Sequence, residues 1–210
     1  MQSAVTRIRV GFLSGLMMLG VIACSGGGGD SGPSAPVTPI EMDPVVVDPV
    51  MVVGSAGDFT LFSDDTALDE RTQLLWTIQD FRQLENRATS NYEEALAWVE
   101  QRNHERFRGY DDWRLPTRSE FDALYDPDLP SGSYRDEPVG YPAAFDDGGG
   151  EWYWTGDVDE YGDPPNHVHR AWTYSFITGE SESRYTFPSH HGEGIIERTG
   201  SVRLVRDNGS

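Results

Sequence analysis

The chain has 210 residues and a formal net charge of −19, from 16 basic against 35 acidic side chains, and every basic residue is Arg. Such a surface repels phosphate backbones, because nucleic-acid binding depends on cationic neutralisation of the polyanion, so no nucleic-acid partner is expected. A single Cys removes intrachain disulfides, thiolate zinc clusters and iron–sulfur sites together.

The first segment reads as an address. Arg7 and Arg9 precede an apolar run from Val10 to Val21, then small residues and the lone Cys24. A basic start, a short apolar run and small residues before a cleavage point make a secretory signal, too short for a comfortable membrane span. The string Val21-Ile22-Ala23-Cys24 resembles the lipobox of bacterial lipoproteins, whose peptidase cuts before the Cys and leaves it acylated. That resemblance implies a signal peptide over residues 1–23 and lipidation, with palmitate among the chains, at Cys24. The plainer alternative is an ordinary signal with an incidental Cys, but a lone thiol in an exported chain is awkward. Each buried CH₂ contributes about 0.8 kcal/mol, so several acyl chains on one Cys anchor durably. Ser25, not Asp, follows the Cys, which resembles the outer-membrane sorting default of Gram-negative lipoproteins.

Residues 24–57 read as a tether. They are rich in Gly, Pro and Ser, with four acids and no base, so the segment is expected loose first and extended later. Its stretch VVVDPVMVV is hydrophobic enough for a strand, but Pro49 interrupts it. The segment is read as a linker that docks on the domain.

The globular part is placed at residues 58–210, a size that buries a core without staples. Phe59 to Phe62 and Leu74 to Ile78 are strand candidates. Ser90-Asn91-Tyr92-Glu93 reads as a capping box with Ser90 at the N-cap. After it, Tyr92, Ala95, Leu96 and Val99 recur at helical spacing as one inward face, down to about Asn103. Thr117-Arg118-Ser119-Glu120 opens a second, shorter helix with Phe121, Leu124 and Tyr125 inward. Pro116 pushes Leu115 into extended geometry, so Trp113-Arg114-Leu115 is a short strand or turn feeding that helix. Glu151 to Thr155, Arg170 to Ile177 and Ser201 to Arg206 read as strands, the second with Trp172, Tyr174 and Phe176 on one aromatic face. Two helices in the first half and a mostly antiparallel, loop-rich β second half indicate α+β.

The landmarks TQLLW (Thr72 to Trp76), NYEEAL (Asn91 to Leu96), DWRLPTRSEFDAL (Asp112 to Leu124), EWYWTG (Glu151 to Gly156), an aromatic strand ending in Thr178-Gly179, and VRLVR (Val202 to Arg206) stand in this order. Together they resemble the Lcl C-terminal domain family, named for the terminal domain of a collagen-like bacterial surface adhesin. The resemblance runs from about Asp69 to Asp207, with WRLPT, Glu120 and Leu124 as its specific element. One departure is Gln73, where the family usually has Gly, and it is expected to alter a turn and leave the fold. The resemblance implies a C-type-lectin-like fold, related to that of the formylglycine-generating enzymes. It further implies that the first and last strands pair, with the segment near Trp76 beside Val202 to Arg206. Arg114 then becomes an internal brace bonded to a carboxylate, and Trp76, Trp113 and Trp154 become core.

Chemistry is harder to read. The formylglycine-generating enzymes use Cys for copper-dependent oxidation, and the one Cys here is at the acylation site. No GxSxG elbow, P-loop or HExxH string occurs. Asp157, Asp159 and Asp163 stand at alternate positions with Gly162 among them, the kind of oxygen-rich loop that Ca²⁺ selects. A structural Ca²⁺ there and a plain solvated acidic loop are the two accounts. No other cofactor is implied. His167 and His169 lie two apart, and His190-His191 precede Glu193; imidazoles suit zinc or copper, but an HxH pair is weak alone. Tyr141, Trp152, Trp172 and Tyr174 are candidate ligand-binding rings that stack on a sugar, with core packing of a Trp-rich domain as the plainer account.

The leading expectation is a non-enzymatic cell-surface lipoprotein whose lectin-like domain binds an extracellular glycan or protein, as an adhesin does. Its acidity opposes anionic glycans, leaving a neutral glycan or a basic protein. The alternatives are a structural accessory lipoprotein that docks an envelope assembly, and a metal-assisted enzyme of the His- and Trp-rich second half.

Overall fold

Aromatic and branched residues at alternating positions make the first half a meander. The computed structural model describes residues 49–128, 132–161, 168–185 and 200–209. Strands β1 (Val52–Ala56), β2 (Phe59–Phe62), β3 (Thr66–Asp69) and β4 (Leu74–Thr77) pair antiparallel in sequence order. The C-terminal strand, Val205–Asp207, completes the sheet beside β4, with Val205 opposite Trp76. The segment near Trp76 therefore lies beside the C-terminal strand, as the family resemblance implied, but that segment is the fourth strand, and the first, β1, is at the opposite edge of the sheet. Strand β1 lies within the span read as tether, so the folded unit extends N-terminal of Asp58. Pro49 does not prevent this, because it precedes the strand and β1 is an edge, where a missing donor costs no ladder bond.

Three α-helices follow, one more than the sequence reading placed. Helix α1 (Phe81–Glu85) is opened by Asp80, whose side chain accepts from the Gln83 N–H at 2.9 Å while Gln83 Oε1 accepts from the Asp80 N–H at 2.7 Å. Asp80 is buried and also accepts from the Gly150 N–H and the Tyr153 hydroxyl, at 2.8 and 2.7 Å. Burial pushes the Tyr153 phenol well above its ordinary pKa, and the Asp80 charge adds to this. Helix α2 (Tyr92–His104) starts one residue later than expected: Asn91, not Ser90, is the N-cap, with its Oδ1 accepting from the Glu94 N–H at 2.8 Å. The Ser90 N–H donates to Glu94 instead. Helix α3 (Arg118–Asp122) has the expected box between Thr117 and Glu120.

The second half holds a small hairpin, β5 (Gly132–Tyr134) with β6 (Glu137–Val139), and a three-stranded antiparallel sheet of β7 (Trp152–Tyr161), β8 (Val168–Ser175) and β9 (Ser181–Tyr185). Strand β7 is twice the expected length and runs through Asp157 and Asp159, with its register shifted between Trp154 and Val158. The C-terminal strand Val205–Asp207, β10, is shorter than expected, because the residues ahead of it bond in turn to different elements and form no regular ladder with any one of them. The Phe81 N–H donates to Val202 O and the Thr77 N–H to Leu204 O. Cys24, Asp163, His167, His190, His191 and Glu193 lie outside the described residues. Among the described residues no helix is long and apolar enough to cross a membrane.

Hydrophobic cores cover both faces of the five-stranded sheet, and β4 shows why. Leu74 and Trp76 join one cluster with Phe121, Tyr153, Tyr174 and Phe176. Leu75, between them, joins the other with Phe81, Tyr92, Trp98, Trp113 and Trp154. Period-two alternation thus sends one strand into two cores. Trp76, Trp113 and Trp154 are all buried, as expected.

Candidate functional site

The WRLPT string is built as a wall. The Arg114 N–H donates to Val205 O at 2.9 Å, and the Val205 N–H returns to Arg114 O at 3.1 Å. Pro116 supplies its carbonyl to the Gly156 N–H at 2.8 Å. Arg114 grips Glu120 with both terminal nitrogens, at 2.8 and 2.7 Å, and reaches Asp207 at 3.3 Å. Glu120 is also the helix box residue, accepting from the Thr117 N–H at 2.7 Å. Burial raises the Glu120 carboxyl, but the Arg114 hydrogen bonds, the Thr117 N–H and the guanidinium charge outweigh it, so its pKa lies below the ordinary range. The carboxylate bond expected of Arg114 is present, but the side chain is 38% exposed, so the brace lies at the surface and not inside.

Helix α2 faces this wall. Its N-terminal end rests on Trp154 through Tyr92, with ring centroids 5.4 Å apart. At its other end Asn103 clamps the Trp113 backbone, donating to its carbonyl at 2.8 Å and accepting from its N–H at 2.7 Å. Nothing in the sequence reading assigned Asn103 this role; a polar amide in a helix's last turn ahead of an aromatic is the signal that was there. Tyr92, Ala95 and Trp98 are the buried residues of α2, so the inward face is rotated from the expected one. Leu96, expected inside, is 45% exposed.

Leu96 points into a groove of about 630 Å³ between α2 and the wall. Tyr92, Leu96, Val99, Glu100 and Asn103 form one side; Trp113, Arg114, Leu115, Thr117 and Glu120 form the other, and Gly156 completes it. The lining is mostly apolar, and its one guanidinium is already paired with a carboxylate. Burial together with the charges of Asp157 and Glu93 pushes the Tyr92 phenol up to about 12, so it is a neutral hydrogen-bonding group at neutral pH. The arrangement offers shape, apolar contact and acidic edges.

The residues singled out from the sequence are not gathered in one place. Tyr141 and Tyr174 are 2% and 1% exposed and sit in the core with Phe176. Trp152 and Trp172 are partly exposed, but Arg184 lies 4.3 Å from the Trp152 ring centroid and Arg118 lies 3.9 Å from that of Trp172. Trp152 is opposite Ser175, and Trp172 is three residues before Ser175 along a regularly paired β8, so the two indoles leave the sheet on opposite faces. The four rings therefore form no common platform. Asp157 accepts from the Arg118 N–H at 2.7 Å, and Asp159 accepts from the Trp172 indole. Both are on strand β7, not in a loop, and among the described residues no group of three or more His, Cys, Asp or Glu converges.

The comparison with protein families decides the relationship. The model of the Lcl C-terminal domain matches residues 65–206. The chain belongs to that family. The matched span begins just before β3 and ends within β10, so the Lcl C-terminal domain takes in α2, the wall and the whole groove, while β1 and β2 precede it. No curated protein and no solved structure matches the chain.

Proposed function

We propose that this Lcl C-terminal domain is a binding module of the cell envelope, held by an acylated Cys24 at a bacterial outer membrane, that attaches to an extracellular protein through the α2 groove. The observation that carries the reading is Leu96, 45% exposed on the lining of a mostly apolar groove whose only guanidinium–carboxylate pair is closed on itself. Leu96 together with the partly exposed Val99 makes a contiguous apolar strip along the groove, the kind of surface that a partner covers. A C-type-lectin-like fold fits this role, and the α+β order with the Trp76 strand beside the C-terminal strand supports it. Protein is favoured over glycan because the groove offers, among the described residues, no exposed aromatic face for a sugar ring to stack on. Tyr92 and Trp113 are buried in the groove wall, and Trp152 and Trp172 are covered by Arg.

The test is to probe arrays of purified extracellular proteins and of glycans with the full chain and with Leu96→Arg. Saturable binding to protein spots that the variant loses is the expected result. Silence on both arrays, or binding that Leu96→Arg leaves untouched, overturns the reading.

A further inference from the structure

We infer that the α2 groove takes a short extended segment of a partner protein that carries one or more Arg or Lys beside two or more large apolar side chains. This rests on the proposal that the groove is the binding surface, and it names what enters. Length comes first. Eleven residues of α2 separate Tyr92 from Asn103, which at 1.5 Å per residue is about 16 Å. An extended strand covers that distance in about five residues.

Side chains, not backbone, must supply the recognition. Along the wall, Arg114 is bonded through both its N–H and its carbonyl to Val205, Pro116 O is taken by Gly156, and the Thr117 N–H is taken by Glu120. Little is left for an added strand to pair with, so the contacts open to a guest are the apolar surfaces of Leu96 and the partly exposed Val99. Aliphatic and aromatic guests match them.

Charge selects the rest of the guest. Glu93, Leu96 and Glu100 are three and seven residues apart on α2, one neighbouring stripe of the helix surface. Glu100 lines the groove, and Glu93 stands beside Tyr92 at its N-terminal end. Neither carboxylate has an ion pair among the described residues, and Glu93 Oε2 is buried without a hydrogen-bond partner there. Arg114, the groove's one cation, is consumed by Glu120 and Asp207. A guanidinium or ammonium entering the groove meets the Glu100 carboxylate on its lining, with the Glu93 charge adding from beside Tyr92, whereas a carboxylate is repelled by both. The whole chain, at −19, steers the same choice from a distance.

Random peptides displayed on phage are panned on the immobilised full chain, and the enriched sequences are synthesised and titrated by fluorescence anisotropy. Titrations use the wild type, Leu96→Arg, and the double variant Glu93→Gln with Glu100→Gln. Leu96 and Glu100 are exposed on α2 and Glu93 is partly buried, so a circular-dichroism melt confirms that each variant folds. The enriched peptides are expected to combine Arg or Lys with large apolar residues. Leu96→Arg is expected to lower their affinity at least about tenfold, as loss of a central contact does. The double variant is expected to lower it about threefold and to flatten its decline with added salt. Enriched peptides with no basic bias, or affinities that ignore the double variant, overturn the inference about charge. Peptides that bind Leu96→Arg as well as wild type overturn the groove as their site. Failure to enrich any peptide while protein spots still bind in a Leu96-dependent way overturns the short-segment inference alone; failure of both sinks it together with the binding proposal.

Discussion

Gln73 holds φ 59° in the turn between β3 and β4, where its N–H donates to Asp69 O and its carbonyl accepts from the Asn208 N–H. Left-handed backbone presses Cβ toward the following carbonyl at a cost of about 1–2 kcal/mol, which Gly escapes. This is the physical reason a Gly suits that place, and the turn here holds Gln73 in that conformation under strain. Gln73→Gly removes the strain but loosens the unfolded chain, so the net gain should be about 0.5–1 kcal/mol, read as a rise in Tm of about 2 °C. A fall in Tm would mean that the Gln73 side-chain bond to Glu70 O, at 3.0 Å, matters more than the backbone. Glu120 makes the second residue-level case. Its pKa in the folded protein is below the ordinary glutamate value of about 4.3, so its contribution is full above that pH and is lost as pH falls through the folded value. Asp112, held down chiefly by the hydrogen bonds of Arg206 at 2.6 and 3.0 Å, behaves the same way. Thermal melts should therefore lose stability progressively below about pH 4. Glu120→Gln should cost roughly 1–2 kcal/mol at neutral pH by removing the charge-assisted bonds to Arg114. It should also shallow that acid limb.

At the scale of elements, the N-terminus of α2 separates two caps that look equal in sequence. Ser90 and Asn91 both favour an N-cap, and each has a Glu three residues on. The chain chooses Asn91 because Glu94 then serves twice, accepting from the Ser90 N–H and pairing with Arg87 at 2.6 Å. The Arg87 bond, ahead of burial and the Ser90 contacts, holds the Glu94 carboxyl below its ordinary pKa. Asn91→Ala should cost about 1 kcal/mol in a denaturant titration, while Ser90→Ala should change stability by less than about 0.5 kcal/mol. Equal losses would return the cap to Ser90. This slip of one residue shows where legibility ends. Helix α3 and strands β2, β4 and β8 were readable because capping, branching and alternation agree there. Helix α1, as short as α3, was not, because its capping box is built from Asp80 and Gln83 and lacks the Ser/Thr start that marked the Thr117 box. The inward face of α2 was misjudged at Leu96 because spacing shows which residues are apolar together, not which of two adjacent stripes the tertiary packing chooses. Trp98 took the inner place. Strand β1 was hidden by the Gly and Pro around it.

For the whole molecule, the candidate site was legible in its materials and not in its assembly. WRLPT and Glu120 were recognised as a unit, yet the groove exists only because α2 comes to rest against it, held by the Asn103 clamp on Trp113 and the Tyr92 contact with Trp154. The aromatic candidates were misleading for the opposite reason: β-strand alternation predicts a shared face within one strand, but Trp152 and Trp172 are on different strands and different faces. Charge is the property that composition states most directly, and it bears on stability as well as on partners. With 35 acids against 16 Arg, more than half the carboxylates have no cation available to them, so the folded state compresses net negative charge. The Arg residues that are paired are mostly at the surface, such as Arg87 with Glu94 and Arg106 with Asp111, where an ion pair contributes about 0–1 kcal/mol. Salt screens both effects over a Debye length of about 10 Å at 0.1 M. Attraction within a contact pair is screened less than repulsion spread across the surface, so repulsion should weaken more. We therefore expect Tm at neutral pH to rise as NaCl increases from about 0.01 M to about 0.1 M and beyond, with the steepest gain at the low end. Scanning calorimetry at a series of salt concentrations measures this directly. A Tm that falls across the same series would show that the Arg networks, Arg114 with Glu120 and Asp207 first among them, contribute more to the fold than its crowded carboxylates cost.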